Sequence, residues 1–412
     1  MAARLGRVNT VRLTLLALAL FIVGTNAFVI AGLLPKIGEG LGVGPGTVGY
    51  AISVYAAVVA IASPVVSVAC GRMPQQRVMA GGLVLIAIGT FLAAAADTFA
   101  VFTAGRVVAA FGGAALVPTA IAAAPVLVPA AVRGRAIAFV GMGFTLAMAI
   151  GSPIGTALAD IGGWRLPLAL LAGLAAVLAP VLLLVVRDVP VGDGVRLRDR
   201  VAVMRNRHIV FATAASLLMM LAFNMVYIFS AVITHDATGG DSSKTAVLLL
   251  VYGMAGIAGN VLGGRLTDRI GSRRTLQGVL TVQCAAFLTL IPAHHSVVAT
   301  AAVFACSGLA GTAASVAIQY RLAVIDARSA GVALAWYSTA MYIGISIAPL
   351  IGAAALPYGF AVLLAAAAGS ILIALLASEL GHFREPREIR SGSAAPGELP
   401  PTELGCSPAR VR

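Results

Sequence analysis

Arg106 is a guanidinium set inside an apolar run and followed at once by Val107 and Val108. A cation in such a run either snorkels along its stem to a nearby interface or faces a bundle interior or cavity, where it is a functional group by default. Asn26 and Asn224 are amides in equally apolar runs, and an amide in lipid is costly unless it is hydrogen-bonded. Each is either structural glue between helices or part of a cavity wall. A third constellation is Gly264-Arg265-Leu266-Thr267-Asp268-Arg269-Ile270-Gly271-Ser272-Arg273-Arg274, a single acid among four arginines. Asp268 is placed there to pair with an Arg on an adjacent helix, and Gly271 permits a tight turn; an ordinary basic loop is the plainer alternative.

This inventory suits recognition and ion pairing rather than bond-making. No Asp or Glu lies in the interior of an apolar run: Asp97, Asp160, Asp236 and Asp241 fall in loops, and Glu379 at the end of the last run. The adjacent pair His294 and His295 is not by itself a metal site. Cys70, Cys284, Cys306 and Cys406 show neither a disulfide framework nor metal spacing. No catalytic residue, cofactor or metal is expected, which disfavours a membrane enzyme or receptor.

The elements that must position these residues are helices in lipid. Hydrophobic residues make up 60% of the 412 and charged residues 10%, far from soluble proportions. Runs long enough to cross a bilayer fall at 11–34, 47–70, 78–96, 101–124, 136–159 and 166–186, then at 209–233, 245–264, 275–292, 297–320, 330–355 and 359–380. They are rich in Gly and Ala, which let helices approach closely, and lack the alternation of a β-barrel. The expected fold is an all-α membrane protein of twelve helices in two six-helix halves.

Charge supplies the orientation. The net charge of +13 is spread over short loops rather than concentrated on one domain, so nucleic acid is not the expected partner. With both termini inside the cell, the inside segments hold 24 of the 28 Lys and Arg residues and the outside loops three, Lys36, Arg165 and Lys244. This places Arg321 in an inside loop and makes the start of the chain an uncleaved first helix. The domains are then 1–186, a basic linker 187–208, 209–380, and a Pro- and Glu-containing tail 381–412 expected to be disordered. Gly71-Arg72 and Gly264-Arg265 are 193 residues apart, as are Gly151 and Gly344, which favours a duplicated fold with its binding site between the halves.

The 264–274 segment resembles the loop signature G-x-x-x-D-R-x-G-x-R-R of the major facilitator superfamily. The equivalent first-half loop, Gly71-Arg72-Met73-Pro74-Gln75-Gln76-Arg77, is degenerate and lacks the acid. Arg106-Val107 with Gly112 resembles the family's R-V-x-x-x-x-G element, and Gly163-Trp164-Arg165 also looks like the family, unless Trp164 is only an interfacial anchor. In span 5, Gly141, Gly143, Gly151, Pro153 and Gly155 resemble the pattern of the exporting branches, with Pro153 expected to kink the helix. Gly24-Thr25-Asn26-Ala27-Phe28-Val29-Ile30-Ala31-Gly32-Leu33-Leu34-Pro35 is similar to the opening of twelve-span bacterial drug:proton antiporters, the group of chloramphenicol and sugar-efflux permeases.

That resemblance implies a monomeric, multi-pass protein of the bacterial plasma (inner) membrane, exporting a small amphipathic drug or antibiotic by alternating access, coupled to protons. It also implies that spans 1, 4, 7 and 10 face the cavity, which makes Asn26, Arg106, Asn224, Tyr227 and Gln319 the candidate substrate contacts. Tyr55, Trp336 and Tyr337 form an apolar wall or simply pack. Many relatives carry Glu where this chain has Ala27, so the expected proton carrier is missing. The same fold would also serve sugars or other polar metabolites.

Overall fold

The computed structural model describes residues 7–70, 73–129, 133–186, 202–325 and 330–382. Most of the expected linker, the whole tail from 383, and Gly71-Arg72 lie outside the described residues. Among the described residues, twelve helices are long and apolar enough to cross a membrane. Lipid offers no hydrogen bonds to backbone groups, so an apolar chain crossing it must satisfy them within each helix. Spans 1 to 4 are Arg7–Leu41, Pro45–Ala69, Gln75–Ala94 and Phe99–Ala123. Span 5 is Arg133–Leu146, a π-helical turn Ala147–Gly151, and Ser152–Gly162; span 6 is Arg165–Val185. Spans 7 to 12 are Arg207–Ile228, Ser242–Ile270, Ser272–Ala293, Val297–Ile325, Ala330–Ala355 and Phe360–His382. Every expected span is present, and the protein is an all-helical twelve-span bundle.

Three boundaries differ from the apolar runs. Span 1 continues through Pro35 to Leu41, where Lys36 pairs with Asp160 of span 5. Span 8 continues past Gly264 to Ile270, so that most of the loop signature is helix. Span 7 stops at Ile228 and is followed by the short helices Ser230–Ile233 and His235–Thr238. Turn chemistry accounts for several ends: Thr98 accepts from Val101 N–H, Asp241 from Ser243 N–H, and Gly271 adopts φ 82° between spans 8 and 9. Arg321 is not in a loop. It is 4% exposed inside span 10 and donates to the Ser378 carbonyl at 3.2 Å.

Among the described residues, Arg12, Arg77, Arg207, Arg265, Arg269, Arg273 and Arg274 sit toward helix ends on one side of the bundle, here the basic end. Packing differs between the two ends. At the basic end, Leu13, Leu16, Met79, Leu83, Leu116, Ala120, Ala136, Val140, Leu178 and Leu182 form a core confined to the first six spans. Toward the opposite end, residues of both halves, such as Leu34, Ile52, Phe102, Tyr227 and Ala348, belong to one common core. The halves are therefore fused at the opposite end, while the first half keeps its own core at the basic end. Large apolar side chains such as Ile61, Phe91, Val177 and Leu376 are exposed on the outside, as lipid-facing groups are.

Candidate functional site

Arg106 neither snorkels nor faces the cavity between the halves. It is 1% exposed, and its Nη1 donates to the Asn26 carbonyl at 2.8 Å and to Asn26 Oδ1 at 2.5 Å. Asn26 Nδ2 in turn donates to Thr90 Oγ1 at 2.5 Å, and the guanidinium carbon lies 4.2 Å from the centre of the Tyr55 ring. Side chains of spans 1 and 2 thus meet the cation of span 4, and span 3 joins them through Asn26. A desolvated cation over an aromatic face is stabilised by about 2 kcal/mol. No carboxylate takes part: among the described residues every Asp and Glu lies in a loop or near a helix end, and Arg106 Nε and Nη2 have no hydrogen-bond partner.

Tyr55 connects this knot to the space between the halves. A small cavity, about 10 Å³ and so room for about one water, is lined by Ala27, Phe28 and Ala31 of span 1 and by Ile52, Tyr55 and Ala56 of span 2. Phe144 of span 5, Asn224 and Ile228 of span 7, and Tyr342 and Ile345 of span 11 complete it. No charged side chain contributes. Asn224 Nδ2 is used within its own helix, donating to the Met220 carbonyl at 2.8 Å, while its Oδ1 is buried without a partner. An amide oxygen in that state accepts from any donor brought near it, because leaving it bare costs about 1–3 kcal/mol. Behind Phe28 lies an aromatic stack: Phe28 meets Phe144 at 5.4 Å and Tyr227 at 5.5 Å, and Tyr227 meets Phe223 and Tyr252.

Small residues join the halves beyond this cavity. A Cβ on Gly46 would stand 3.3 Å from Ala353 Cβ, and one on Gly49 would stand 3.4 Å from Pro349 Cβ. Ser346 Oγ donates to the Ser53 carbonyl at 2.9 Å. Gly253 of span 8 lies so close to the Ala149 backbone of span 5 that a Cβ would collide with it. These contacts fall in the part of the bundle away from the basic loops.

Within the first half, spans 1 and 5 are equally intimate. Cβ atoms on Gly143, Gly151 and Gly155 would strike Ala17, Thr25 and Val29, and one on Gly24 would strike Ala147. Gly141, by contrast, has nothing near it. Where a kink was expected, a π turn, Ala147–Gly151, precedes the helix Ser152–Gly162, and Pro153 sits in the first turn of that helix, where its missing N–H costs least.

The family model of the Major Facilitator Superfamily matches residues 16–349 and 217–405. The chain belongs to this superfamily. It is a secondary transporter that binds a small molecule within a membrane, and the family is one of transporters rather than enzymes. The MFS-type transporter YbcL of Bacillus subtilis (strain 168) is 26% identical over 382 residues, 92% of this chain and 98% of that protein. A chloramphenicol resistance protein of Streptomyces lividans is 31% identical over 264 residues, 62% of this chain and 67% of that protein. Among solved structures, a bacterial homolog of the human lysosomal transporter Spinster, inward-facing and occupied, has a TM-score of 0.74 at 17% identity, covering 93% of this chain and 98% of its own. The nucleoside transporter NupG also has a TM-score of 0.74, at 12% identity, covering 90% and 99%. At these identities the two structures share the fold.

The candidates now separate. Asn224 lines the cavity. Asn26 and Arg106 hold the first half together, Tyr227 supports Phe28 from behind, and Gln319 is exposed toward the basic end of span 10, donating to the Ser315 carbonyl at 3.2 Å. Spans 2, 5 and 11 line the cavity with spans 1 and 7, whereas spans 4 and 10 supply no lining residue. Tyr342, which sequence reasoning missed, lies two residues before the noted Gly344. Trp164 is 5% exposed and packs on Phe102 and against Gly40, so it is not a lipid-facing anchor. In the loop signature, Gly264 has open space around it, Gly271 makes the turn, and Asp268 is exposed with no ion-pair partner among the described residues. Arg265, Arg269 and Arg274 likewise form no ion pair there, while Arg273 Nη2 reaches Glu379 Oε2 at 2.6 Å and Gln277 Nε2 donates to Glu379 Oε1 at 2.9 Å.

Proposed function

We propose that this transporter exports a small amphipathic molecule of the drug or antibiotic class by alternating access, as a monomer in a bacterial inner membrane. The basic end faces the cytoplasm, as the positive-inside distribution suggests. One observation carries the reading: the cavity between the halves is walled by Phe28, Phe144, Ile52, Ile228 and Ile345, with tyrosines and one free amide oxygen as its polar features. Such a wall rewards apolar bulk and a single donor. A sugar, with a hydroxyl on nearly every carbon, would leave most of its hydrogen bonds unmade there. The likeness to a chloramphenicol resistance protein supports the same class.

The cavity is far smaller than the several hundred Å³ that a drug-sized ligand fills. The substrate therefore enters by parting the halves at the basic end, where the first half already has its own core. Phe28, Tyr55, Phe144 and Tyr342 pack its apolar body, and Asn224 Oδ1 accepts its donor. Export follows when the seam at Gly46, Gly49, Ser53 and Gly253 opens and the basic end closes, with Asp268 free to pair across it. Protons are the proposed driving ion from family resemblance, carried elsewhere than at Ala27.

Expression in a drug-sensitive, efflux-deficient host tests this reading, with an expected rise in resistance to at least one amphipathic compound. Unchanged susceptibility across a broad panel, with membrane expression verified, would refute it. Flux of labelled sugars in vesicles in place of resistance would move the assignment to polar metabolites. Proteoliposomes with an imposed pH gradient report the coupling in the same preparation.

A further inference from the structure

Three of the five histidines gather at the end of the second half opposite the basic loops. His235 and Asp236 lie in the short helix His235–Thr238 after span 7, and His294 and His295 lie in the turn between spans 9 and 10. One ligand atom from each of Asp236, His294 and His295 falls within 4.8 Å of the others. Neither adjacency nor spacing in the sequence pairs Asp236 with these histidines; the fold brings them together.

The hydrogen bonds fix which nitrogen is available. His294 Nδ1 is 2.8 Å from the Ile291 carbonyl, an oxygen that only accepts, so Nδ1 carries a proton. The remaining nitrogen, Nε2, faces Asp236 Oδ2 at 3.4 Å. In neutral imidazole these are two acceptors side by side, which repel unless a cation lies between them. A proton would draw them to a charge-assisted hydrogen bond of about 2.7–2.9 Å. The observed separation instead matches the edge of a tetrahedron whose ligand bonds are about 2.0–2.1 Å, which is about 3.3–3.4 Å. The neighbouring ring points the same way. The His294 and His295 rings lie with centroids 3.7 Å apart, tilted by 41°, a closeness that two imidazolium rings would resist and that neutral, ligating imidazoles tolerate. The Ile291 carbonyl and the ring of Phe360, 4.3 Å from His294, hold the imidazole in this orientation.

We infer that Asp236, His294 and His295 form a binding site for a divalent transition-metal ion of the Zn²⁺ or Co²⁺ type. Two imidazoles and one carboxylate select such ions over Mg²⁺ and Ca²⁺, which take all-oxygen shells. A water completes the tetrahedron on the open side, since Asp236 and His295 are exposed. The ion ties the segment after span 7 to the turn between spans 9 and 10, beside the first residue of span 12. It thereby braces the end of span 7, whose Ile228 lines the cavity and whose following residue, Phe229, packs against Gly49 of the first half. All the ligands belong to the second half, so the ion stiffens that half without locking it to the other.

The test uses the full-length protein purified on a tag without histidines and stripped with a chelator. Titration with ZnCl₂ should show one saturable site and raise the unfolding temperature, whereas MgCl₂ and CaCl₂ at the same concentration leave it unchanged. Co²⁺ should give the visible absorption of a four-coordinate ion. Asp236→Asn and His295→Gln, both at exposed positions, should weaken Zn²⁺ binding by about tenfold or more while the protein still elutes as a single species; His294→Ala should abolish it. His382→Gln, on span 12 at the basic end, should bind like the parent. Absence of saturable binding, or binding that survives both Asp236→Asn and His294→Ala, would overturn the assignment. A pH-dependent change in unfolding temperature without Zn²⁺ binding would assign the cluster to protons and overturn it equally.

Discussion

Replacing Asn26 by Leu removes the side-chain oxygen that accepts from Arg106 at 2.5 Å and the amide that donates to Thr90. The Asn26 carbonyl and the Tyr55 ring remain. Loss of a hydrogen bond to a buried charge costs about 1.5–3 kcal/mol, and the stranded Thr90 hydroxyl adds about 1–3 kcal/mol. Arg106→Leu alone strands the Asn26 amide and costs a similar amount. The double variant strands only Thr90, because charge and acceptor leave together, and replacing a buried polar pair with apolar side chains is close to neutral. At these values the two changes should be non-additive by about 3–6 kcal/mol in the stabilising direction, measured as a double-mutant cycle on unfolding in detergent. Transport should not recover with stability: flux in proteoliposomes should stay low in the double variant, because Tyr55 no longer has a cation to hold its ring against the cavity. Additive destabilisation would refute the knot. Wild-type flux from the double variant would limit Arg106 to a structural role.

Gly253→Val adds atoms where the Ala149 backbone already lies. Overpacking of about 1–3 kcal/mol should shift the closed seam toward opening by about 5- to 150-fold, read as faster labelling of a cysteine placed at Ser346; unchanged labelling would contradict the seam. Asn224→Leu should lower resistance to donor-bearing compounds by about tenfold, near the worth of one hydrogen bond, and leave purely apolar compounds alone. Equal loss across a matched compound series would remove Asn224 from the site. Glu379→Gln breaks a half-exposed pair with Arg273 and should cost no more than about 1 kcal/mol, with flux close to wild type; abolished flux would show that this contact gates transport.

The spans were legible because each needs a long apolar run, and no rearrangement of packing alters that need. Their ends were less so, for a physical reason. Hydropathy locates where lipid stops, not where the backbone ladder stops. Span 8 runs on to Ile270 because Arg265, Leu266 and Arg269 are strong helix formers that carry the helix past the apolar run. Span 1 similarly carries Pro35 and Lys36 beyond the apolar run, with Asp160 as the partner for the lysine. The polar candidates were easy to find and harder to assign. Asn26 and Asn224 are the same residue type at comparable depths, yet one is consumed by Arg106 and Thr90 while the other keeps an oxygen free. That difference depends on the rotation of spans 1 and 7 about their axes. The aromatic Tyr342 and the convergence of Asp236 with His294 depend likewise on tertiary packing, to which a linear pattern is blind.

The π turn in span 5 has a consequence for how this helix has been assembled. Gly143 and Gly151 both press on span 1, although they are eight residues apart. In an uninterrupted α-helix eight residues turn through about 800°, which would leave the two glycines about 80° out of line. A π turn takes up about one extra residue per turn, which brings that misalignment to about 20°. The helix thus carries a one-residue insertion that has been absorbed rather than repaired. Removing a single residue between 147 and 151 would restore a continuous α-helix and keep both glycines facing span 1, whereas a deletion between 143 and 147 that left the π turn in place would put them about 120° out of line.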